Sequence, residues 1–168
     1  RGDRTQHLRE GRRRVYLFSY SRRQYLCWVE SMDLVTTMCH HVHAFHHLGG
    51  VARVCLYDNF KAVVLRHDAD GVFYHPKFLA FATHYGFRPQ ACRVRRPQTK
   101  GKVERKFHYV ETSLLNGRTF DTLEHLNEVT AQWLAEVADV RVLRDFKESP
   151  RERHQREQPH LLPLPTCD

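Results

Sequence analysis

Residues 51–59 carry the sequence Val-Ala-Arg-Val-Cys-Leu-Tyr-Asp-Asn. The run from Val51 to Tyr57 is apolar and β-branched, which is typical of a strand buried in a sheet. Asp58 and Asn59 end this run with polar side chains. Because open α/β sheets bind ligands at the carboxyl ends of their strands, the position of Asp58 makes it a candidate site residue. This stretch therefore predicts the most buried strand of the chain and the place of a functional site.

The sequence upstream predicts a hairpin followed by a helix. Residues 14–18 and 24–29 are β-rich runs joined by a polar turn, a pattern that indicates two antiparallel strands. Ser31 or Asp33 can cap a helix that ends at Gly49-Gly50. The apolar stripe of this helix is predicted to consist of Val35, Met38, Val42, Phe45 and Leu48.

The sequence downstream alternates between helix and strand. A polar loop containing Asp68 and Gly71 precedes a helix that Pro76 opens and Gly86 closes. A short strand is predicted from Phe87 to Val94. Two further helices are predicted, one from Lys102 with Val103, Phe107, Val110 and Leu114 on one face, and one over residues 121–140. The order of elements indicates an α/β chain with a mixed sheet flanked by helices.

The last part of the chain differs in composition from the rest. After Phe146 the sequence is first charged and then rich in proline, which predicts an extended arm. We therefore expect a core domain over residues 1–145 and a C-terminal tail over residues 146–168. Tyr25, Trp28 and Phe45 are expected in the core, and Trp133 is expected to pack the last long helix onto the sheet.

Composition excludes several classes of protein. The chain has 168 residues, 41% of them hydrophobic, and a formal net charge of +8. It is too apolar for wholesale disorder, and it lacks the run of about 20 apolar residues that a membrane span needs. The first residues contain neither an initiator Met nor the apolar stretch of a secretory signal, so we expect a fragment of a cytoplasmic protein.

Cysteines and histidines give little support for a metal site. The five cysteines are widely spaced and include no Cys-x-x-Cys, which argues against a zinc site or a disulfide framework and favours a reducing cytosol. His43 and His47 are four residues apart on the predicted helix, but no His-Glu-x-x-His motif is present. We expect the histidines at positions 40, 41, 43, 46 and 47 to form a solvated helix face.

The charge of the chain is concentrated in one segment. Residues 88–106 contain eight cations and a single acid, Glu104. This density favours contact with a nucleic-acid backbone, although many basic proteins bind no nucleic acid. Glu104 falls in the first turn of a predicted helix, where an acid can simply complement the helix dipole. A carboxylate among so many cations also suits Mg²⁺ held against a phosphodiester.

Three motifs resemble the catalytic core of DDE transposases and integrases. They are Leu-Tyr-Asp-Asn-Phe-Lys at 56–61, His-Tyr-Gly-Phe-Arg-Pro at 84–89, and Arg-Pro-Gln-Thr-Lys-Gly-Lys-Val-Glu-Arg at 96–105. The chain is most similar to IstA-like transposases of bacterial insertion sequences, which work with a separate AAA+ helper ATPase. Gly-Arg-Thr-Phe at 117–120 and the tail from Ser149 also resemble that family, so the similarity extends from about Arg14 over nearly the whole chain.

The resemblance implies an RNase H-like fold and Mg²⁺-dependent chemistry, with Mn²⁺ as a substitute. Transposon ends would be cleaved to expose 3′-hydroxyls that attack target DNA. Asp58 and Glu104 would be the second and third metal ligands, flanked by Asn59 and Lys61. Contact with DNA is assigned to Arg95, Arg96, Gln98, Lys100, Lys102 and Arg105. The resemblance also implies multimers assembled on DNA at the bacterial nucleoid and no membrane association.

The match is weakest at the first metal ligand. The family carries its first Asp on its first strand, in a context such as Val-Asp-Trp/Phe-Gly. Here only Asp3 is available, and it is followed by Arg4-Thr5. We take Asp3 as the candidate and keep two alternatives. One is a degenerate, non-catalytic remnant that binds DNA through phosphates. The other is a metal-dependent nuclease of the same broad fold.

Overall fold

The computed structural model describes residues 12–57, 60–92 and 108–166. Strands β1 (Arg12–Leu17) and β2 (Gln24–Val29) are antiparallel, with Arg12 opposite Val29 and Leu17 opposite Gln24. The predicted hairpin is therefore confirmed. Most of β2 is buried, including the predicted core residue Trp28, whereas Tyr25 is only half-buried.

Helix α1 (Leu34–Leu48) begins and ends where the sequence predicts. The Asp33 side chain accepts a hydrogen bond from the Thr36 N–H at 2.8 Å, and Gly49 ends the helix with a φ of 75°. The buried face differs from the predicted stripe, because Val35 is 65% exposed. The predicted Phe45 and Leu48 are buried, and Met38 and Val42 are partly buried. The packing of α1 against β2 and the later helix α2 also buries Thr37, His41 and Ala44.

Strand β3 (Val54–Tyr57) is parallel to β6 (Arg88–Ala91). The connection between them contains a hairpin of β4 (Val64–Asp68) and β5 (Gly71–Tyr74), followed by α2 (Pro76–Tyr85). The prediction of a plain polar loop before Pro76 was therefore wrong. A two-residue connection closes the hairpin between Asp68 and Gly71, and turn residues of this kind join antiparallel strands as readily as they form loops.

The prediction that β3 is the most buried strand was also wrong. Val54 is 39% and Leu56 is 59% exposed, whereas Cys55 and Tyr57 pack into the core. Successive side chains of a strand point to opposite faces, so β3 is covered on one face and open on the other.

Within the described residues the strands form three separate two-stranded sheets, β1–β2, β3–β6 and β4–β5. The α/β class is confirmed, but the single mixed sheet that the sequence predicts is not seen in this part of the chain. No helix in the described ranges is long and apolar enough to cross a membrane.

The C-terminal helices contain two π-helical turns. Residues 108–110 are helical and continue into the π-turn Glu111–Leu115, and α3 (Leu123–Trp133) continues into the π-turn Leu134–Ala138. Trp133 packs with Trp28 of β2, as predicted. A π-turn holds extra residues relative to an α-turn and so shifts the buried face. Accordingly Ala138 is buried while Val137 is 39% exposed.

The C-terminal segment folds back onto the domain, so the prediction of an extended arm was wrong. Ser149 and Glu152 form a capping box at the start of α4 (Pro150–Glu157). The chain then returns to Val51, whose N–H and carbonyl bond the Leu162 carbonyl and N–H at 2.9 and 2.8 Å. Gly50, with a φ of 154°, permits this close approach, because a Cβ there would lie 2.8 Å from Leu161 Cβ.

Two hydrophobic cores result from this packing. The first core joins β2 to the π-turns and α3; its buried members are Leu26, Trp28, Val110, Leu114, Leu115, Phe120, Leu126, Trp133, Leu134 and Ala138. The second core joins α1 to α2, β3 and β6; its buried members are Phe45, Val51, Val63, Val64, Phe78, Ala82, Phe87 and Ala91. The candidate site lies at the edge of the second core.

Candidate active site at the end of strand β3

All predicted site residues lie outside the described residues. They are the ligand candidates Asp3, Asp58 and Glu104 and the DNA-contact candidates Arg95, Arg96, Gln98, Lys100, Lys102 and Arg105. The structure does describe the residues next to them in the chain. Tyr57 precedes Asp58, Phe60 follows Asn59, and Cys92 is the last described residue before residues 93–107, the larger part of the basic segment and the part that contains Glu104.

The parallel pairing of β3 with β6 brings two of these neighbours together. Tyr57 is opposite Ala91 at the carboxyl ends of the two strands, and the Cys92 N–H donates to the Tyr57 carbonyl at 2.8 Å. The chain therefore runs on from both strands at the same edge, towards Asp58 in one case and the basic segment in the other. In an open α/β architecture this edge is where ligands bind.

The Tyr57 side chain is anchored to α1. Its hydroxyl lies 2.9 Å from His41 Nε2, inside the second core. Burial, and secondarily the nearby Cys55 thiol, raises the pKa of Tyr57 well above its ordinary value, so the phenol stays protonated. Burial also lowers the pKa of His41 to about 4, so its imidazole is neutral at pH 7.

A buried cation of β1 lies beside the residue that follows Asn59. The Arg14 guanidinium stacks over the Phe60 ring at 4.2 Å and donates to Thr37 Oγ1 at 2.5 Å. Burial lowers the pKa of Arg14, but a guanidinium remains charged at neutral pH. This arrangement places one positive charge between β1 and the chain that leaves β3.

Sequence reasoning missed Arg14, His41 and Tyr57 as residues that shape this edge. It assigned His41 to a solvated face, whereas the structure buries it to 3% exposure; His43 and His46 are exposed as predicted. The sequence did contain a signal that His41 is buried. His41 lies four residues from both Thr37 and Phe45 and three from Ala44, and residues at these spacings share one face of a helix. Within the described ranges no three His, Cys, Asp or Glu side chains converge as a metal site would require.

Comparison with known proteins identifies the relatives of this chain. It is 43% identical over 155 residues to the transposase for insertion sequence element IS21 of Pseudomonas aeruginosa, a match that covers 92% of this chain and 40% of the relative. The homologues of this chain are insertion-sequence transposases. It is also 47% identical over 113 residues to the transposase for IS640 of Shigella sonnei, which covers 67% of this chain and 36% of that transposase.

A third transposase homologue extends this similarity to another bacterium. The putative transposase for IS5376 of Geobacillus stearothermophilus is 36% identical over 154 residues, covering 92% of this chain and 38% of the relative. The chain thus spans about 40% of the length of these curated transposases. No family model matches the sequence.

Solved structures with the same fold are retroviral integrases. A chain of the simian T-cell lymphotropic virus intasome, solved in complex with PP2A regulatory subunit B56 gamma, superposes with a TM-score of 0.67 at 18% identity; the match covers 94% of this chain and 52% of that one. The HTLV-2 integrase catalytic core domain, solved in a trimeric form with magnesium, gives a TM-score of 0.58 at 13% identity, covering 86% of this chain and 93% of that one. The fold is therefore similar to that of integrase catalytic cores, in agreement with the predicted RNase H-like class.

Proposed function

We propose that this chain is the catalytic core of a DDE-type insertion-sequence transposase that cleaves transposon ends and joins their 3′-hydroxyls to target DNA. The observation that carries the proposal is the parallel end of β3 and β6. Asp58 directly follows β3, and the residues that lead to Glu104 follow β6, so both continue from the same edge of the paired strands. The homologues of the chain are transposases, which gives this edge its proposed role. Residues 1–145 would form the core, and residues 146–168 a C-terminal segment that packs back onto it.

The donor set of the proposed site fits Mg²⁺. Asp3, Asp58 and Glu104 would supply hard carboxylate oxygens, the ligands that Mg²⁺ prefers. When bound, the metal would supply Lewis-acid chemistry at the scissile phosphodiester. The cations of the basic segment would neutralise the DNA phosphates, and Gln98 would add hydrogen bonds to the backbone.

Partners and location follow from the same proposal. The substrates would be the transposon ends and the target DNA, bound by a homo-oligomer, with an AAA+ helper ATPase as a further partner. The bacterial nucleoid would be the place of action. Contacts within the core would be made mainly to phosphates, so the core alone would show little sequence preference.

Substitution of the proposed ligands tests the function. We expect Asp58→Asn and Glu104→Gln to abolish cleavage and joining of a duplex that carries the ends of the element, assayed with Mg²⁺ and with Mn²⁺. Asp3→Asn is expected to do the same. The matched controls Asp70→Asn and Glu124→Gln change exposed carboxylates elsewhere and should retain activity. Retained joining in the Asp58 or Glu104 variant would refute the proposal.

The competing function is a non-catalytic remnant that binds DNA, favoured by the sequence around Asp3. It predicts no cleavage by the unmodified chain and DNA binding that does not depend on metal. In that case a plot of the logarithm of the DNA association constant against the logarithm of the salt concentration should have a slope of about −0.9 for each phosphate contacted. Cleavage that depends on divalent metal decides against it.

A further inference from the structure

The enclosure of His41 is unusual for a side chain that can carry charge. Its ring is 3% exposed and contacts the rings of Tyr16, Phe45, Tyr57, Phe78, Phe81 and Phe87. A phenylalanine would fill such a pocket without any requirement for hydrogen bonds. The polar atoms of His41 must therefore be accounted for by their partners.

Those partners fix the tautomer of the imidazole. Nδ1 lies 2.7 Å from the Thr37 carbonyl, which can only accept, so Nδ1 carries the hydrogen. Nε2 of the neutral ring is then a bare acceptor, and it receives the Tyr57 hydroxyl hydrogen at 2.9 Å. The Tyr16 hydroxyl lies 3.1 Å from Nδ1 on the opposite side. His41 thus connects β1 to β3, two strands that share no sheet within the described residues.

Tyr57, the residue of β3 that bonds to His41, directly precedes the proposed metal ligand Asp58. Tyr57 is held by its hydroxyl on His41, by its carbonyl on the Cys92 N–H at 2.8 Å, and by pairing with Ala91. Asp58 is joined to Tyr57 by a peptide bond. The position of Tyr57 therefore fixes the point at which Asp58 is attached to β3.

We propose that His41 is a positioning residue of the active site: by accepting the Tyr57 hydroxyl hydrogen it fixes the end of β3 and the point from which Asp58 is presented to metal. This inference rests on the proposed function, because it takes Asp58 as a ligand. It differs from a purely structural role, in which His41 would only fill the second core.

The two tyrosines offer a matched pair of variants. Tyr57→Phe and Tyr16→Phe each remove one hydroxyl that faces His41, from β3 and β1 respectively. The probe is Mn²⁺, and the readout is the thermal melt of the full chain over a Mn²⁺ titration, which reports binding to the folded state without DNA or turnover. Loss of a residue that orients a metal ligand costs about 10-fold or more in metal affinity.

We expect Tyr57→Phe to raise the half-saturating Mn²⁺ concentration by about 10-fold and Tyr16→Phe to change it by less than about 2-fold. Equal effects of the two variants, or none in Tyr57→Phe, would overturn the inference. Should Tyr57→Phe not melt cooperatively, His41→Gln takes its place, since the amide oxygen keeps an acceptor towards Tyr57. Its affinity should lie between those of the unmodified chain and His41→Met.

Asp58→Asn, measured in parallel, separates the inference from the proposed function. If Asp58→Asn abolishes the Mn²⁺-dependent shift while Tyr57→Phe leaves it intact, only the role of His41 is refuted. If Asp58→Asn retains the full shift, the assignment of Asp58 as a ligand fails, and the inference fails with it.

Discussion

Two buried histidines pack against the same hairpin and differ in how their nitrogens are partnered. His41 of α1 contacts Tyr16, and each of its ring nitrogens has a hydrogen-bond partner. His154 of α4 stacks on Phe18 with ring centroids 5.6 Å apart. Its Nδ1 lies 3.4 Å from a Glu157 carboxylate oxygen, and its Nε2 has no partner among the described residues.

Buried polar atoms without partners in the described part of the chain occur around both histidines, and near His41 one of them is Arg14 Nε. Asp139, whose carbonyl accepts the Arg151 N–H of α4 at 3.0 Å, binds Arg23 with one carboxylate oxygen at 3.1 Å. Its other carboxylate oxygen and Gln24 Oε1 are buried without partners in the described part of the chain. A buried polar group without a partner costs stability, whereas a paired one specifies a geometry. The comparison indicates that hydrogen bonds at both nitrogens hold the His41 ring in one orientation, whereas the His154 ring is held with fewer of them.

The largest effect is expected from the ion pair between Arg23 and Asp139. Arg23→Met leaves the Asp139 carboxylate, 3% exposed, without its cation, so we expect the free energy of unfolding to fall by about 3 kcal/mol. Urea denaturation at pH 7 measures this loss. The double variant Arg23→Met with Asp139→Leu should recover most of it, and a loss below about 1 kcal/mol in the single variant would show that this region is more tolerant than its burial suggests.

The next largest effect is a loss of folding stability at low pH that depends on His41. Its pKa falls from 6.5 to about 4 in the folded chain, owing first to burial and also to Arg14 and His40 nearby. Tyr16, Tyr57 and the Thr37 carbonyl face its nitrogens. Between these pH values the unfolded chain binds the proton and the folded chain does not, so stability should fall by roughly 3 kcal/mol as pH drops from 6.5 to 4.

Urea denaturation from pH 7 to pH 4 measures this slope, and His41→Gln is the control because it cannot titrate. The difference between the two chains removes contributions from other groups, including His47, whose pKa is also lowered by burial. An unchanged slope in His41→Gln would show that folding does not lower the pKa of His41.

The smallest effect is expected at His154. Phe in its place keeps the stacking on Phe18 and removes the buried Nε2, so His154→Phe should alter the free energy of unfolding by no more than about 1 kcal/mol, in either direction. The same substitution at His41 leaves the Tyr57 hydroxyl without its acceptor on His41 and should destabilise the chain clearly. Thermal melts of the two variants side by side test the contrast, and equal losses would remove the distinction between the regions.

Sequence reasoning succeeded where a structural signal is local. Asp33 caps α1 and Gly49 ends it, Pro76 and Gly86 bound α2, and β1 and β2 form the predicted antiparallel hairpin. These features depend on residues within a few positions of one another, so the local sequence specifies them. The resemblance to transposases has the same origin, because it rests on short motifs at fixed spacing, and the homologues confirm it.

Tertiary structure decided what depends on contacts far apart in the chain. The pairing of β3 with β6 and the bridge between Val51 and Leu162 each join segments more than ten residues apart. The burial of His41 rather than Val35 depends on which face of α1 the neighbouring elements cover. An α-helix presents several overlapping apolar stripes, and only the neighbouring elements select which one is buried. The sequence by itself therefore determined the first hairpin, the bounds of α1 and α2, and the similarity to transposases, but it missed the β4–β5 hairpin and α4. The packed fold determined that Tyr57 and His41 meet where β3 ends, because burial and hydrogen-bond pairing are properties of the assembled chain.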